Sequence, residues 1–137
     1  MTTAPGMGWY VQVSAGGLVT GGGFHPTGPD QLARLRAAVD APASGTALER
    51  VVAALRSAGF ELAGDRVATR PRGVPADHPR LELMRFKTLF ARRDHGAPAW
   101  LSTPDVVEHV RADWRAVRPL VEWLTEHVGA TEQPRPR

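Results

Sequence analysis

The chain has 137 residues, of which 42% are hydrophobic, no cysteine and a formal net charge of +3. This length allows one domain with its own core, and the lack of cysteine excludes disulfides and thiolate metal sites. No apolar run approaches the roughly 20 residues of a membrane span, and Met1–Gly8 lacks a secretory signal pattern, so we expect a cytoplasmic protein.

Two strands joined by a tight turn are predicted at the N-terminus. Hydrophobic residues occupy every second position from Trp9 to Val13, which predicts a strand over 8–14. The Ala-Gly-Gly turn that follows leads into a second strand over 18–24. The glycines at 21–23 match neither the dinucleotide nor the phosphate-loop spacing, and we interpret them as a softened strand end or a bulge.

Two helices are predicted next. Apolar residues at helical spacing predict the first over 30–39, and Ala-Pro-Ala-Ser-Gly at 41–45 is expected to break the chain. Thr46 and Glu49 match a capping box, which predicts a second helix over 47–58.

The second half of the chain mixes short strands and helices. We predict strands over 60–64, 66–69 and 87–93 and a helix over 79–85. A helical pattern runs from Thr103, its cap, to Gly129, and Pro119 predicts a kink or a division into two helices. The fold class is therefore α+β, a single domain over 1–129 with a largely antiparallel sheet and about four to five helices, and 130–137 is expected to be a disordered tail.

Positive charge is concentrated in one segment of the chain. From Arg66 to Arg93 there are eight basic and two acidic residues, whereas the rest of the chain has nine basic and twelve acidic residues. This asymmetry predicts an anionic partner.

The loop at 70–79 is the predicted ligand site. Arg70 and Arg72 alternate on an extended stretch, so their guanidinium groups are expected on one side, next to Gly73 and ahead of a helix N-terminus. Arginine pairs suit bidentate recognition of phosphate or carboxylate. The alternative is that Arg70 and Arg72 pair with the protein's own carboxylates, those of Asp77, Glu82 or Glu61.

Candidate catalytic residues lie in the same segment. Asp77 and His78 could form an acid/base pair, although adjacent residues seldom face each other. Lys87 is the one lysine of the chain, and a Schiff base or general base needs an amine in place of a guanidinium. No histidine pair has metal-ligand spacing, so we predict no metal and no cofactor.

One stretch resembles a known bacterial family. Gly-Trp-Tyr-Val-Gln-Val-Ser at 8–14, Gly-Gly-Gly-Phe-His-Pro at 21–26 and the segment 70–87 occur in this order in domain of unknown function 2461. The resemblance covers about residues 8–128 and implies the C-terminal part of the family, without the upstream Arg-Asp-x-Arg-Phe type of motif. A truncated member would leave a sheet edge exposed near Trp9–Ser14.

Three functions remain open from the sequence. The first is a module that binds an anionic small molecule, or less readily nucleic acid, through Arg70, Arg72, Arg85 and Lys87, with no membrane partner. The second is a small enzyme that uses Asp77, His78 or Lys87. The third is a homo-oligomeric or protein-interaction module that pairs through the edge strand.

Overall fold

The computed structural model describes residues 7–132. It contains a four-stranded antiparallel sheet in the order β1-β2-β4-β3. The elements are β1 (Met7–Ser14), β2 (Gly17–Phe24), α1 (Pro29–Asp40), α2 (Pro42–Ser57), β3 (Glu61–Ala63), α3 (Leu81–Met84), β4 (Leu89–Gly96), a 3-10 turn (Ala99–Ser102) and α4 (Val106–His127). This confirms the predicted α+β class, the antiparallel sheet and the number of helices.

The sheet is built around the predicted hairpin. β1 and β2 pair without interruption from Met7 opposite Phe24 to Ser14 opposite Gly17, as the alternating pattern predicts. β2 then pairs with β4, with a register shift at Leu18/Val19. Within residues 7–132, β1 has no neighbour on its other side, so the prediction of an edge strand at this position is confirmed.

The two faces of the sheet have different surroundings. Phe24, Leu89 and Ala91 share one face and are buried in a core with the apolar side of α4, which includes Val117 and Leu120. The opposite face carries Tyr10, Gln12, Phe90, Arg92 and Asp94, which are half-buried or exposed. The described helices therefore cover one face of the sheet and leave the other open.

Helix α2 begins earlier than predicted. Only Ala41 separates α1 from α2, because Pro42 occupies the first turn, where its missing N–H costs no hydrogen bond. Thr46 and Glu49 lie inside the helix, so the predicted capping box is wrong. The Ser44 hydroxyl donates to the Ala38 carbonyl at 2.6 Å, which stabilises this close junction.

Helix α4 is one continuous element despite Pro119. Pro119 is exposed, whereas its neighbours Leu120 and Val121 are fully buried against the sheet. Burial of this apolar stripe compensates for the lost backbone hydrogen bond. The predicted division into two helices is therefore wrong. The helix begins at Val106, and Thr103 belongs to the preceding turn instead of the cap.

The segment between β3 and β4 holds less regular structure than predicted. The strand predicted over 66–69 is reduced to an isolated bridge between Arg66 and Phe86. The helix predicted over 79–85 shortens to α3, with four residues. The strand predicted over 87–93 is present as β4, which begins two residues later than predicted, at Leu89.

Candidate functional site

The predicted ligand loop folds against the C-terminal half of α1. Pro71 is buried and its carbonyl accepts the backbone N–H of Val74 at 3.2 Å, which closes a turn with Arg72 at its tip. Gly73 has φ +85°, a left-handed conformation that favours glycine over other residues. The turn keeps the exposed Arg72 side chain beside the helix.

A cleft of about 290 Å³ lies between this loop and α1, and we call it the α1–loop cleft. Its polar lining comes from Arg36 and Asp40 on α1 and from Arg72 and His78 on the loop. Val74 and Met84 contribute apolar surface. The fold thus brings together two guanidinium groups that are 36 positions apart in the chain.

Arg36 has an unsatisfied donor. Its Nε is buried without a hydrogen-bond partner, and it is the one such side-chain nitrogen or oxygen found within residues 7–132. Leaving a buried donor unpaired costs about 1–3 kcal/mol, and such groups are rare in native proteins. An acceptor supplied by a bound anion would remove this cost.

His78 pairs with Asp40 and not with its sequence neighbour. The backbone N–H of Arg80 donates to His78 Nδ1 at 2.9 Å. Nδ1 therefore carries no proton, and Nε2 carries the proton that it donates to Asp40 Oδ1 at 2.7 Å. Both ring nitrogens are occupied and the side chain is 7% exposed, so the imidazole has no free lone pair for a substrate.

Arg80 fastens the loop to the junction of α1 and α2. Its Nε donates to the Val39 carbonyl at 2.6 Å and its Nη2 to the Asp40 carbonyl at 2.8 Å. These carbonyls end α1 and have no partner inside the helix. Gly45 provides the space for this contact, because a Cβ there would collide with Arg80 Nε.

The remaining predicted site residues do not line the α1–loop cleft. Arg85 donates to the carbonyls of Val67 at 3.1 Å and Ala68 at 3.0 Å, so its guanidinium holds the backbone of the preceding segment. Arg70, Asp77 and Lys87 are exposed, and their side chains make no hydrogen bond or ion pair with any described residue.

Two of the three proposed internal partners of Arg70 and Arg72, Glu82 and Glu61, are occupied by other arginines, and Asp77 pairs with no described residue. Glu82 lies 3.2 Å from Arg85 and 3.8 Å from Arg66, and Glu61 lies 2.6 Å from Arg92. Of the predicted ligand residues, the cleft therefore retains Arg72 and Gly73, together with His78. Sequence reasoning missed Arg36, since a lone arginine on a helix carries no local signal of a site.

The region described, 7–132, shows no cluster of three or more histidine, cysteine, aspartate or glutamate side chains that could hold a metal ion. None of its helices is both long and apolar enough to traverse a bilayer.

The fold and the cleft define a two-layer α+β protein with a pair of arginines at the junction of a helix and a turn. A family model described as a conserved hypothetical protein, domain of unknown function 2461, matches residues 1–123, and the chain belongs to this family. The match begins at the first residue, so it is not confined to a C-terminal part as we expected. No curated protein and no solved structure matches the chain.

Proposed function

We propose that this protein binds a small anion, a phosphate or carboxylate group of a metabolite, in the α1–loop cleft. The observation that carries the proposal is that Arg36, whose buried Nε lacks an acceptor, and Arg72 line the same cleft. Guanidinium groups bind phosphate and carboxylate oxygens bidentately and keep their charge at any physiological pH.

The charge balance of the cleft favours a single anionic group. Arg36 and Arg72 contribute two positive charges, and Asp40 contributes one negative charge beside the Nε2–H of His78. The volume of about 290 Å³ is at the lower limit of ligand pockets. Since the described part of the lining contains no Phe, Tyr or Trp on which a base could stack, a small molecule fits better than nucleic acid.

The test is a titration of the purified protein with inorganic phosphate and with glycerol phosphate, monitored by ¹H–¹⁵N NMR. Saturable shifts are expected in the amides of 36–40 and 71–78. Arg72→Gln is expected to weaken binding at least tenfold, since it removes one of two charge-assisted contacts. Arg50→Gln on α2 is the matched control, because Arg50 is exposed and has no described partner.

Two results would refute the proposal. One is the absence of saturable shifts with either anion at millimolar concentration. The other is binding by Arg72→Gln that equals binding by the unaltered protein, which would reduce the effect to non-specific attraction by surface charge.

The geometry supports binding better than catalysis by the predicted residues. His78 has both nitrogens engaged, and neither Asp77 nor Lys87 reaches the cleft that His78 lines. A catalytic set needs its groups within hydrogen-bond reach of one reacting atom. If a substrate is found, turnover that survives in both His78→Gln and Lys87→Arg would eliminate these two residues as the catalytic groups.

Self-association through β1 is a second candidate function, favoured by the exposed valines. Val11, Val13 and Val107 are 47%, 67% and 50% exposed. The hydroxyl of Thr20 donates to Asp113, and two residues further along β2 Gly22 lies beside Val117. Later residues of β2 thus contact later residues of α4, so the two elements run in the same direction. The first turn of α4, with Val107, therefore lies toward the hairpin turn, as Val13 does.

We propose a second copy as the partner of this edge. β1 contains no charged residue and no proline, the features that normally protect edge strands. Trp114 Nε1 already donates to the Tyr10 carbonyl at 3.2 Å, so the free edge extends from Val11 to Ser14. Antiparallel self-pairing about Gln12 would place Val11 opposite Val13 of the other copy.

Sedimentation velocity tests this second candidate. A monomer–dimer equilibrium is expected that Val13→Lys shifts to monomer, because a charge at this position would be buried in the pair. A concentration-independent monomer would refute it, as would a dimer that Val13→Lys leaves unchanged.

A further inference from the structure

A groove of about 500 Å³ opens beside the first half of β1, where the uncovered face of the sheet meets its edge, and we call it the sheet groove. Its walls include Trp9, Tyr10 and Gln12 of β1, Gly23 of β2, His25 just after β2 and Phe90 of β4. This volume lies within the range of small-molecule sites, which are typically apolar with a few polar groups. None of these residues lines the α1–loop cleft.

Three rings form one side of the sheet groove. His25 stacks on Phe90 with an angle of 22° between the planes and a centroid separation of 5.7 Å. The ring of Tyr10 meets the Phe90 ring nearly edge-on, at 83° and 6.3 Å. Stacked and edge-on contacts of this kind are the arrangements that a further aromatic ring can extend.

Glycines let the Tyr10 and Phe90 rings lie close to the sheet. A Cβ at Gly21 would lie 2.7 Å from Cε1 of Tyr10, and a Cβ at Gly23 would collide with the Cα and Cβ of Phe90. The Tyr10 ring thus covers Gly21, and Phe90 packs against Gly23 through its Cα and Cβ. Both contacts stabilise the sheet whether or not a ligand binds. This structural role accounts for Tyr10 and Phe90 but not for His25 or Gln12.

His25 and Gln12 supply hydrogen-bonding capacity without a structural use. Both residues are exposed, and neither side chain forms a hydrogen bond to another residue of the described region. Each can donate and accept. They therefore place a donor and an acceptor at the rim of an otherwise apolar site.

The electrostatics of the sheet groove favour an uncharged ligand. Among the residues that the structure describes, its lining contains no aspartate, glutamate, lysine or arginine. The nearby Arg92 lies 2.6 Å from Glu61, and this hydrogen bond, with a smaller contribution from Tyr10, raises the pKa of Arg92 above its usual value. The cation is thus already paired within the protein.

We propose that the sheet groove binds a flat, uncharged heteroaromatic ring, such as a nucleobase, that stacks against the Phe90–His25 pair. Stacking selects a planar π-system and tolerates different ring identities, because each such ring has a π-face. His25 and Gln12 bond the polar edge of the ring, and this distinguishes a heteroaromatic ligand from a hydrocarbon.

The test is a ¹H–¹⁵N NMR titration with adenosine, with cyclohexanol as a non-planar control. Adenosine carries no charge, so it does not compete for the arginines of the α1–loop cleft. Saturable shifts are expected in the amides of 8–12, 21–25 and 89–91, and not in those of 71–78. Cyclohexanol is expected to bind at least fivefold more weakly.

Variants assign the contacts within the sheet groove. Phe90→Leu and His25→Ala are expected to weaken adenosine binding at least fivefold, whereas Arg50→Gln, on the exposed side of α2, stays within twofold of the unaltered protein. His25 is exposed, so its variant decides the question if Phe90→Leu does not fold. Equal affinity for cyclohexanol, unchanged binding by His25→Ala, or shifts outside these segments would each overturn the proposal.

Discussion

His95 and Asp113 are joined by a hydrogen bond of 2.5 Å between Nε2 and Oδ2. The hydroxyl of Thr20 donates to the same carboxylate oxygen at 2.8 Å, and Arg93 Nη1 lies 3.6 Å from Oδ1. Asp113 is 4% exposed, so its charge depends on these partners. The network attaches α4 to the two central strands, because Thr20 lies on β2 and both His95 and Arg93 lie on β4.

Removal of the Asp113 carboxylate is expected to destabilise the protein strongly. Asp113→Ala leaves the donors of Thr20 and His95 unpaired in the core, which costs about 3 kcal/mol in the free energy of unfolding. Thr20→Val, which removes one donor, costs about 1 kcal/mol. Urea denaturation measures both values. The control Asp77→Ala, at an exposed carboxylate with no partner among the described residues, is expected to change stability by less than about 0.5 kcal/mol.

Replacement of Gly45 by alanine is expected to destabilise the protein, although alanine has the higher helix propensity. Gly45→Ala in a helix normally stabilises a protein by about 0.5–1 kcal/mol. Here the added methyl group would collide with Arg80 Nε and with the carbonyl oxygen of Val39. We expect a net loss of about 1–3 kcal/mol from this overpacking, measured by thermal or urea unfolding. A stability gain would show that Arg80 moves aside without cost.

Stability is expected to depend on pH through Asp30. Hydrogen bonds from the Thr131 hydroxyl and the Glu132 backbone N–H, with a further contribution from Arg34, lower the pKa of Asp30 from 3.8 to about 2. The unfolded chain therefore binds a proton first, and stability that is present above pH 4 is lost as the pH falls toward 2. Unfolding at a series of pH values measures this loss.

Asp30→Asn is the variant that isolates this effect. It is expected to be less stable than the unaltered protein at neutral pH and to lose less stability between pH 4 and 2. If both proteins respond identically to acid, the contacts of Asp30 do not persist in solution.

Arg36 is expected to lower the stability of the ligand-free protein and to contribute to anion binding. Arg36→Met keeps the aliphatic volume but removes the buried Nε that has no acceptor, so the ligand-free protein is expected to gain about 1 kcal/mol in unfolding free energy. The same variant should lose phosphate binding in the α1–loop cleft. A loss of stability instead would indicate that the guanidinium has an acceptor in the free protein.

Local patterns were sufficient for the elements whose neighbours in sequence are also their partners in space. The β1–β2 hairpin depends on alternation and a glycine turn within 18 residues, and α1 depends on one apolar stripe. The predicted start of α2 was wrong. Thr46 and Glu49 match a capping box, but Pro42 already occupies the first turn of the helix and Gly45 packs against Arg80 within it. The helix break that Pro119 predicts is likewise absent, because burial of the neighbouring residues keeps α4 continuous.

The residues of the candidate sites also differ in whether local sequence patterns could identify them. Arg72 and Gly73 stand out from the sequence because charge and turn chemistry concentrate around them. The strand β1 follows from its alternation, and its exposed edge was expected from the resemblance to a truncated family member. Arg36, the pairing of His78 with Asp40, and the rings of Tyr10, His25 and Phe90 come together only through long-range packing. The sequence alone determined the hairpin, α1 and the location of the charge, since these depend on local patterns. The tertiary structure decided which side chains meet, since contacts between distant residues depend on how the helices and the sheet bury their apolar faces.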